Sequence, residues 1–320
     1  MAKRLRTMLA VAGITVAGLV GPAPAASANT PLTTLSFVAH EDDDLLFMNP
    51  DILSDVQAGY DTWVVYLTAG EIAYGSGSPQ ERLDYANMRT EGVKAAYARA
   101  AKTANDWTFN ESVFNGHPVA TDTLTGTRVH LLFLYIHAAD GASGDNCGDL
   151  YRMLHDPAFA GRPIDGRPAY TRQDLLATLR AVTDGVNPDY LRSQSTIGHR
   201  DGDHIDHTSA ALFTAAADST IPPGADPLTA TGTTVRQRDE YQGYSLANQP
   251  DRFGGYWRDE KLAVWNAYKP HDPAVGPTTW DELAGKETDP AAAGRRFTAN
   301  GTWAPPGDFT NQCGNDGPYH

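Results

Sequence analysis

Cysteine is nearly absent from the 320 residues: there are two, Cys147 and Cys313. Two thiols alone do not make a thiolate metal site. In an exported chain they read most simply as one disulfide, which would fasten the C-terminal tail to the middle of the domain. Cations are also scarce, with 25 Lys and Arg against 39 Asp and Glu and a net charge of −14. Such a surface repels phosphate backbones, so nucleic acid is excluded as a natural partner. Long apolar runs are missing after residue 28, so no membrane span is expected there. Internal repeats and heptads are missing as well.

The one extended apolar run lies at the start. Lys3, Arg4 and Arg6 precede Met8 to Val20, and Ala26-Ser27-Ala28 is a small-x-small cleavage site. This pattern predicts a signal peptide over 1–28 and a secreted protein cleaved near Ala28. No Arg-Arg pair precedes the run to mark a twin-arginine route. Loss of the three cations takes the charge from −14 to −17. The mature remainder suits one large domain, or a domain with an appendage.

Strand-like and helical patterns alternate along the first two thirds. Thr34 to Ala39, Thr62 to Thr68, Arg128 to Ile136 and Pro188 to Ser195 read as strands. Asp44 to Gln57, restarted at Asn49-Pro50, Gln80 to Lys102 after Ser78-Pro79, Thr171 to Val182 and Thr208 to Ala217 read as helices. Residues 104–127 suggest a hairpin or surface insertion. This order predicts an α/β fold with a mostly parallel sheet between helical layers. Residues 29–220 form the expected catalytic core. Residues 221–320, rich in Pro, Gly and Trp with one short helix from Asp259 to Tyr268, form an expected loop-rich extension wrapping it.

Two polar clusters follow predicted strands. The first is His40-Glu41-Asp42-Asp43-Asp44, and the second is Asp203-His204-Ile205-Asp206-His207. Open α/β sheets place ligands at such carboxyl edges. His40, Asp43 and His207 offer two imidazoles and one carboxylate, a set that suits Zn²⁺ and admits Fe²⁺ or Mn²⁺. Asp42 is the candidate general base for a metal-activated water. His204 is the candidate for stabilising an oxyanion or protonating a departing amine. Asp206 can fix a histidine tautomer. Asp44 is left to start a helix. The aromatic residues Tyr241, Tyr244, Phe253, Tyr256, Trp257, Trp265 and Tyr268 either line a sugar cleft or pack the extension on the core.

Ala39-His40-Glu41-Asp42-Asp43 resembles the Ala-His-Pro-Asp-Asp signature of PIG-L/LmbE-type deacetylases. Asp203-His204-Ile205-Asp206-His207 is similar to their second signature, Asp-His-x-Asp-His. Thr68-Ala69-Gly70-Glu71 and Arg89-Thr90-Glu91-Gly92 extend the likeness, which spans about residues 33–218. The resemblance implies a Rossmann-like three-layer αβα sandwich and a zinc-dependent N-deacetylase acting on an N-acetylated amino sugar or glycosylated small molecule. It assigns His40, Asp43 and His207 to the metal, Asp42 to the base and His204 to the carbonyl or leaving amine. It points to Arg89 and Glu71 as substrate contacts, with a surface salt bridge as the alternative for Arg89. Two departures stand out: Glu41 replaces the usual proline, and Arg200-Asp201-Gly202 lacks a tyrosine that some members carry before the second signature. The competing readings are a non-catalytic carbohydrate-binding protein on the same scaffold and an ester or phosphoester hydrolase using the same site.

Overall fold

Apolar residues alternate strand by strand between two cores, one on each face of a single sheet. Leu35, Phe37, Val65, Leu67, Leu132 and Leu134 face one core. Val38, Val64, Tyr66, Leu131 and Phe133 face the other. A sheet buried on both faces needs this double set, because successive side chains point to opposite sides. The computed structural model describes residues 30–74, 77–139, 147–222, 225–226, 229–249, 254–275, 283–286 and 296–310. The expected signal peptide and Cys313, and with it the expected bridge to Cys147, lie outside the described residues.

The strands of this sheet are β1 (Thr33–Val38), β2 (Asp61–Thr68), β3 (Trp107–Phe114), β4 (His117–Leu124), β5 (Val129–Ile136), β6 (Tyr190–Gln194), β7 (Arg238–Tyr241) and β8 (Arg296–Phe297). Their spatial order is β8-β7-β6-β1-β2-β5-β4-β3. The five central strands, β7 to β5, run parallel. The β3–β4 hairpin and β8 close the two ends antiparallel. Helices α1 (Asp51–Ala58), α2 (Pro79–Ala100) and α6 (Tyr256–Tyr268) pack on one face, and α3 (Gly148–His155), α4 (Arg172–Val186) and α5 (Ile205–Ala217) on the other. This is the three-layer α/β architecture expected from the sequence. No helix among the described residues is long and apolar enough to cross a membrane.

Local chemistry sets the helix boundaries. Ser78 and Glu81 form a capping box at the start of α2, with Pro79 in its first turn, and Thr171 and Asp174 do the same for α4. A short π-helical turn, Asp44–Met48, precedes the Asn49-Pro50 break, and α1 starts anew at Asp51. The segment after residue 220 holds more than loops. It supplies β7, which pairs in parallel with β6, and α6, which begins three residues earlier than expected. Trp265 and Tyr268 of α6 are fully buried in the core shared with α2. Burying each such side chain stabilises by roughly 1.5–3 kcal/mol, which fixes α6 firmly.

The topology creates a crevice at the edge of the sheet. From β1 the chain passes through α1 to β2 on one side, and from β6 through α5 to β7 on the other. β1 and β6 are neighbours, so their outgoing connections diverge and leave a gap at the carboxyl edge. Both polar clusters emerge there.

Candidate metal centre

The first cluster is held by its own backbone. Ala39 donates its N–H to Gln194 Oε1 at 3.0 Å, tying the end of β1 to the end of β6. The His40 N–H donates to Asp43 Oδ2 at 2.6 Å. That bond folds the turn so that the His40 ring and the Asp43 carboxylate face the same side. Their side chains approach to 3.4 Å at Nδ1 and Oδ2.

The second cluster straddles a helix start. His204 is the N-cap of α5, and its Nδ1 accepts the Asp206 N–H at 3.2 Å. His207 follows in the first turn. Its Nδ1 lies 2.9 Å from Asp203 Oδ1, and its Nε2 points to Asp43 Oδ1 at 3.0 Å and to His40 Nδ1 at 3.2 Å. His40 Nε2 in turn lies 3.3 Å from Asp206 Oδ2, which the Ala139 N–H holds at 2.7 Å. Each imidazole therefore has a carboxylate behind it, the arrangement that fixes a ligand's tautomer and raises its basicity.

With the outer nitrogens protonated toward Asp203 and Asp206, three lone pairs converge: His40 Nδ1, His207 Nε2 and Asp43 Oδ1. Asp43 Oδ1 is buried and has no hydrogen-bond partner among the described residues. Such a cluster is repulsive unless a positive charge sits within it. The field says the same. Burial alone would lower the His40 imidazole, but the Asp43 carboxylate and the hydrogen bond to Asp206 raise it to about 9. Burial also works downward on His207, yet Asp43 and Asp203 hold it well above its ordinary range. Asp43 moves oppositely: burial would raise it, but His207 and His40 pull it well below the usual carboxylate range. The residues thus fit a cation. His40, His204 and His207 also each bring one nitrogen to within 4.8 Å of the others, so His204 borders the same centre. Its ring meets that of His40 edge-on at 4.7 Å.

The PIG-L family, described as GlcNAc-PI de-N-acetylase, matches residues 35–217, more than half of the chain. The chain belongs to the PIG-L family. The match runs from β1 through α5 and contains both clusters; it ends before Tyr244, Tyr268 and Asp272. No curated protein matches in sequence. Among solved structures the chain is similar to an N,N′-diacetylchitobiose deacetylase from Pyrococcus horikoshii, at 14% identity, 78% of this chain, 72% of that one and a TM-score of 0.43. It is also similar to the zinc-inhibited form of the teicoplanin deacetylase Orf2, at 15% identity, 73% and 83% coverage and a TM-score of 0.37. A 4-carboxy-2-hydroxymuconate hydratase from Pseudomonas putida aligns at 15% identity, 79% and 83% coverage and a TM-score of 0.39. None of the three decides the chemistry of this PIG-L member, which rests on its own site.

Asp42, His204 and Asp206 all lie at the PIG-L centre. Burial raises the Asp42 carboxyl, and the Arg89 guanidinium offsets this only in part. Arg89 is itself buried, so it is no surface salt bridge; its Nη2 donates to Asp42 Oδ1 at 2.5 Å. Glu71 is buried too. It pairs with His137 Nδ1 and accepts the Ala138 N–H at 3.3 Å, linking the loops after β2 and β5. The charged groups of Arg89 and Glu71 are therefore engaged by the protein itself. Glu41 is fully buried beside Arg89, with burial lifting its carboxyl well above the ordinary range against the pull of that cation. Asp44 accepts from Tyr66 at 2.9 Å and Tyr97 at 2.5 Å in the core.

Two participants were not legible as such. Asp203 belongs to the second cluster, but nothing in its sequence neighbourhood shows that it backs His207. Tyr244 stacks on His207 with centroids 5.3 Å apart, and its N–H donates to Asp203 Oδ1 at 3.1 Å. Of the aromatic segment, Tyr241, Trp265 and Tyr268 pack in the core and Tyr256 is exposed; Phe253 lies outside the described residues.

Proposed function

We propose that this chain is a metal-dependent hydrolase that removes an N-acetyl or similar acyl group from an amino sugar or glycoconjugate. The observation that carries the reading is the convergence of His40 Nδ1, His207 Nε2 and Asp43 Oδ1 beside a second buried carboxylate, Asp42. His40, Asp43 and His207 would hold the cation. Zn²⁺ suits this mixed nitrogen and oxygen set, and Fe²⁺ or Mn²⁺ fit it as well. Such an ion, when bound, supplies Lewis acidity that polarises an amide carbonyl and brings the pKa of water toward ~7.

The protein groups then divide the proton work. Asp42 takes a proton from the attacking water, and its burial brings its basicity closer to neutral pH, where a general base is most effective. The water oxygen adds to the acyl carbon, the C–N bond breaks, and the departing nitrogen receives a proton from His204, which borders the same centre. The products are a carboxylate, acetate for an acetyl group, and a free amine. Asp206 and Asp203 keep the two ligand rings oriented. Export rests on the sequence of residues 1–28.

The test is Asp42→Asn, assayed for acetate release with bound metal measured in parallel. Activity should fall by ~10²- to 10⁴-fold while metal is retained, and chelation should abolish wild-type activity until Zn²⁺ is restored. Undiminished turnover in Asp42→Asn would remove Asp42 as the base. Tight binding of acetylated sugars without any turnover would favour the carbohydrate-binding alternative.

A further inference from the structure

Arg89 lies at the junction of three parts of the chain. Its Nη2 donates to Asp42 and its Nη1 to the Gly70 carbonyl at 2.9 Å. Its Nε faces the segment beyond the family match, donating to Tyr268 Oη at 2.9 Å with Asp272 Oδ2 at 3.2 Å. Glu41 Oε2 stands 3.5 Å from Nη1. Asp272 is itself fixed: Tyr268 donates its hydroxyl to Oδ2 and Tyr85 donates to Oδ1, both at 2.6 Å. The Ala274 N–H adds a third bond to Oδ1 at 3.1 Å. Tyr85, Arg89, Tyr268 and Asp272 are all buried.

Two glycines make the close approach possible. A Cβ at Gly70, whose φ is +54°, would lie 2.0 Å from Arg89 Nη1 and 2.7 Å from Glu41 Oε2. One turn beyond Arg89 on α2, a Cβ at Gly92 would lie 2.8 Å from Tyr268 Cδ2 and 3.0 Å from His271 Cβ. The first gap admits the guanidinium to the loop after β2. The second lets the end of α6 and the following turn close on α2.

A guanidinium is planar, and its donors keep fixed relative directions. Holding Nε and Nη1 therefore determines where Nη2 points. We propose that Asp272 and Tyr268 are positioning residues for catalysis: they lock the Arg89 plane so that Nη2 holds Asp42 in place for proton abstraction. The segment after residue 217 then does more than cover the core. It completes the support of the base from outside the family's matched region, with Asp272 acting on Asp42 only through Arg89. A carboxylate left without this tether would have other rotamers open to it, and a displacement of ~1 Å at a reacting group can cost ~10²-fold in rate.

This inference rests on Asp42 being the base. The test measures kcat and KM for acetate release from N-acetylglucosamine and N,N′-diacetylchitobiose with the zinc-loaded protein. Asp272→Asn and Tyr268→Phe should each lower kcat by ~10- to 100-fold, with KM within about twofold and bound zinc unchanged. Tyr268→Phe keeps the ring in its packing, which guards against misfolding. In an Asp42→Asn background the same substitutions should cost nothing further, because groups that act as a unit are not additive. An equal loss in both backgrounds means a merely structural role and overturns the inference, whereas full activity of Asp42→Asn alone overturns the base assignment beneath it. A second readout needs no turnover. A locked guanidinium shows separate NMR signals for its Nη protons, and both substitutions should merge those of Arg89. Signals that stay separate in both variants overturn the proposal.

Discussion

The region from β1 to α5 and the region after it divide the work of the site unequally. The first holds every group proposed to touch a cation or a reacting proton: His40, Asp42, Asp43, His204 and His207. The second brings Tyr244, Tyr268 and Asp272, each of which acts on one of those groups or on its partner. Tyr244 stacks on His207 and steadies Asp203, while Tyr268 and Asp272 hold Arg89. Lys261 adds a further tie, donating from α6 to the Leu46 carbonyl at 2.7 Å, just past the first cluster. Reactive groups stand at the end of β1 and at the start of α5. Their support comes from wherever the fold brings a partner within ~3 Å.

The largest effect should come from breaking the reactive side of that comparison. His207→Ala removes the Nε2 that faces both Asp43 and His40 and should abolish stoichiometric metal binding. Because a bound metal supplies several kcal/mol of charge stabilisation, kcat should fall by ~10³-fold or more. His204→Ala is the sharpening control. If His40, Asp43 and His207 are the ligand set, this variant keeps its metal and loses turnover. If the three histidines hold the ion, it loses both. Elemental analysis beside the acetate assay separates the two sets.

A smaller effect is expected one step back from the metal. Asp203→Asn keeps the shape but weakens the hold on His207 Nδ1, so metal affinity should drop by ~10- to 100-fold. The ring still stacks on Tyr244, and the fold should persist. Competition against a zinc chelator of known affinity reads the change. An unchanged affinity would mean that the carboxylate behind the histidine is ornamental here.

What the sequence made legible follows this same division. Strands β1, β2 and β5 are apolar or β-branched enough to read, whereas β6, Tyr190-Leu191-Arg192-Ser193-Gln194, is mostly polar; the polar clusters that follow β1 and β6 announce a site. Strand β7 has no readable apolar pattern, because two of the side chains it buries beside Tyr241 are Arg238 and Glu240. They are tolerated inside because they pair with each other at 3.2 Å and because Glu240 accepts from the Thr196 N–H and hydroxyl. Arg89 was visible as a charged residue on a helix, but a partner 179 residues away, Tyr268, leaves no local trace. Glu41 stands where the family signature usually has proline, and the sequence does not show what it packs against. The fold makes it a buried carboxyl packed against Arg89, a role that only the three-dimensional contact reveals.

The smallest effect should fall on an exposed carboxylate contact of the second region, and it tests whether burial is what makes Asp272 matter. Asp308 accepts from Arg200 at 2.7 and 3.0 Å and meets His199 at 3.1 Å, but its side chain is 51% exposed. The Arg200 hydrogen bonds, helped by His199, draw its carboxyl from 3.8 down to about 2. A lowered carboxyl stabilises the fold above its unfolded pKa and loses that contribution as pH falls toward the folded value. The window is therefore roughly pH 4 to 2, and stability above it should be flat as far as this group is concerned. Solvent screening keeps an exposed pair to within ~1 kcal/mol. Asp308→Asn should then lower Tm at pH 7 by no more than a few degrees, with the gap to wild type closing below pH 2 and shrinking in high salt. Thermal melts across pH measure it, and activity should not change. A loss at pH 7 as large as that of Asp272→Asn would show that position in the extension, rather than burial against Arg89, is what matters.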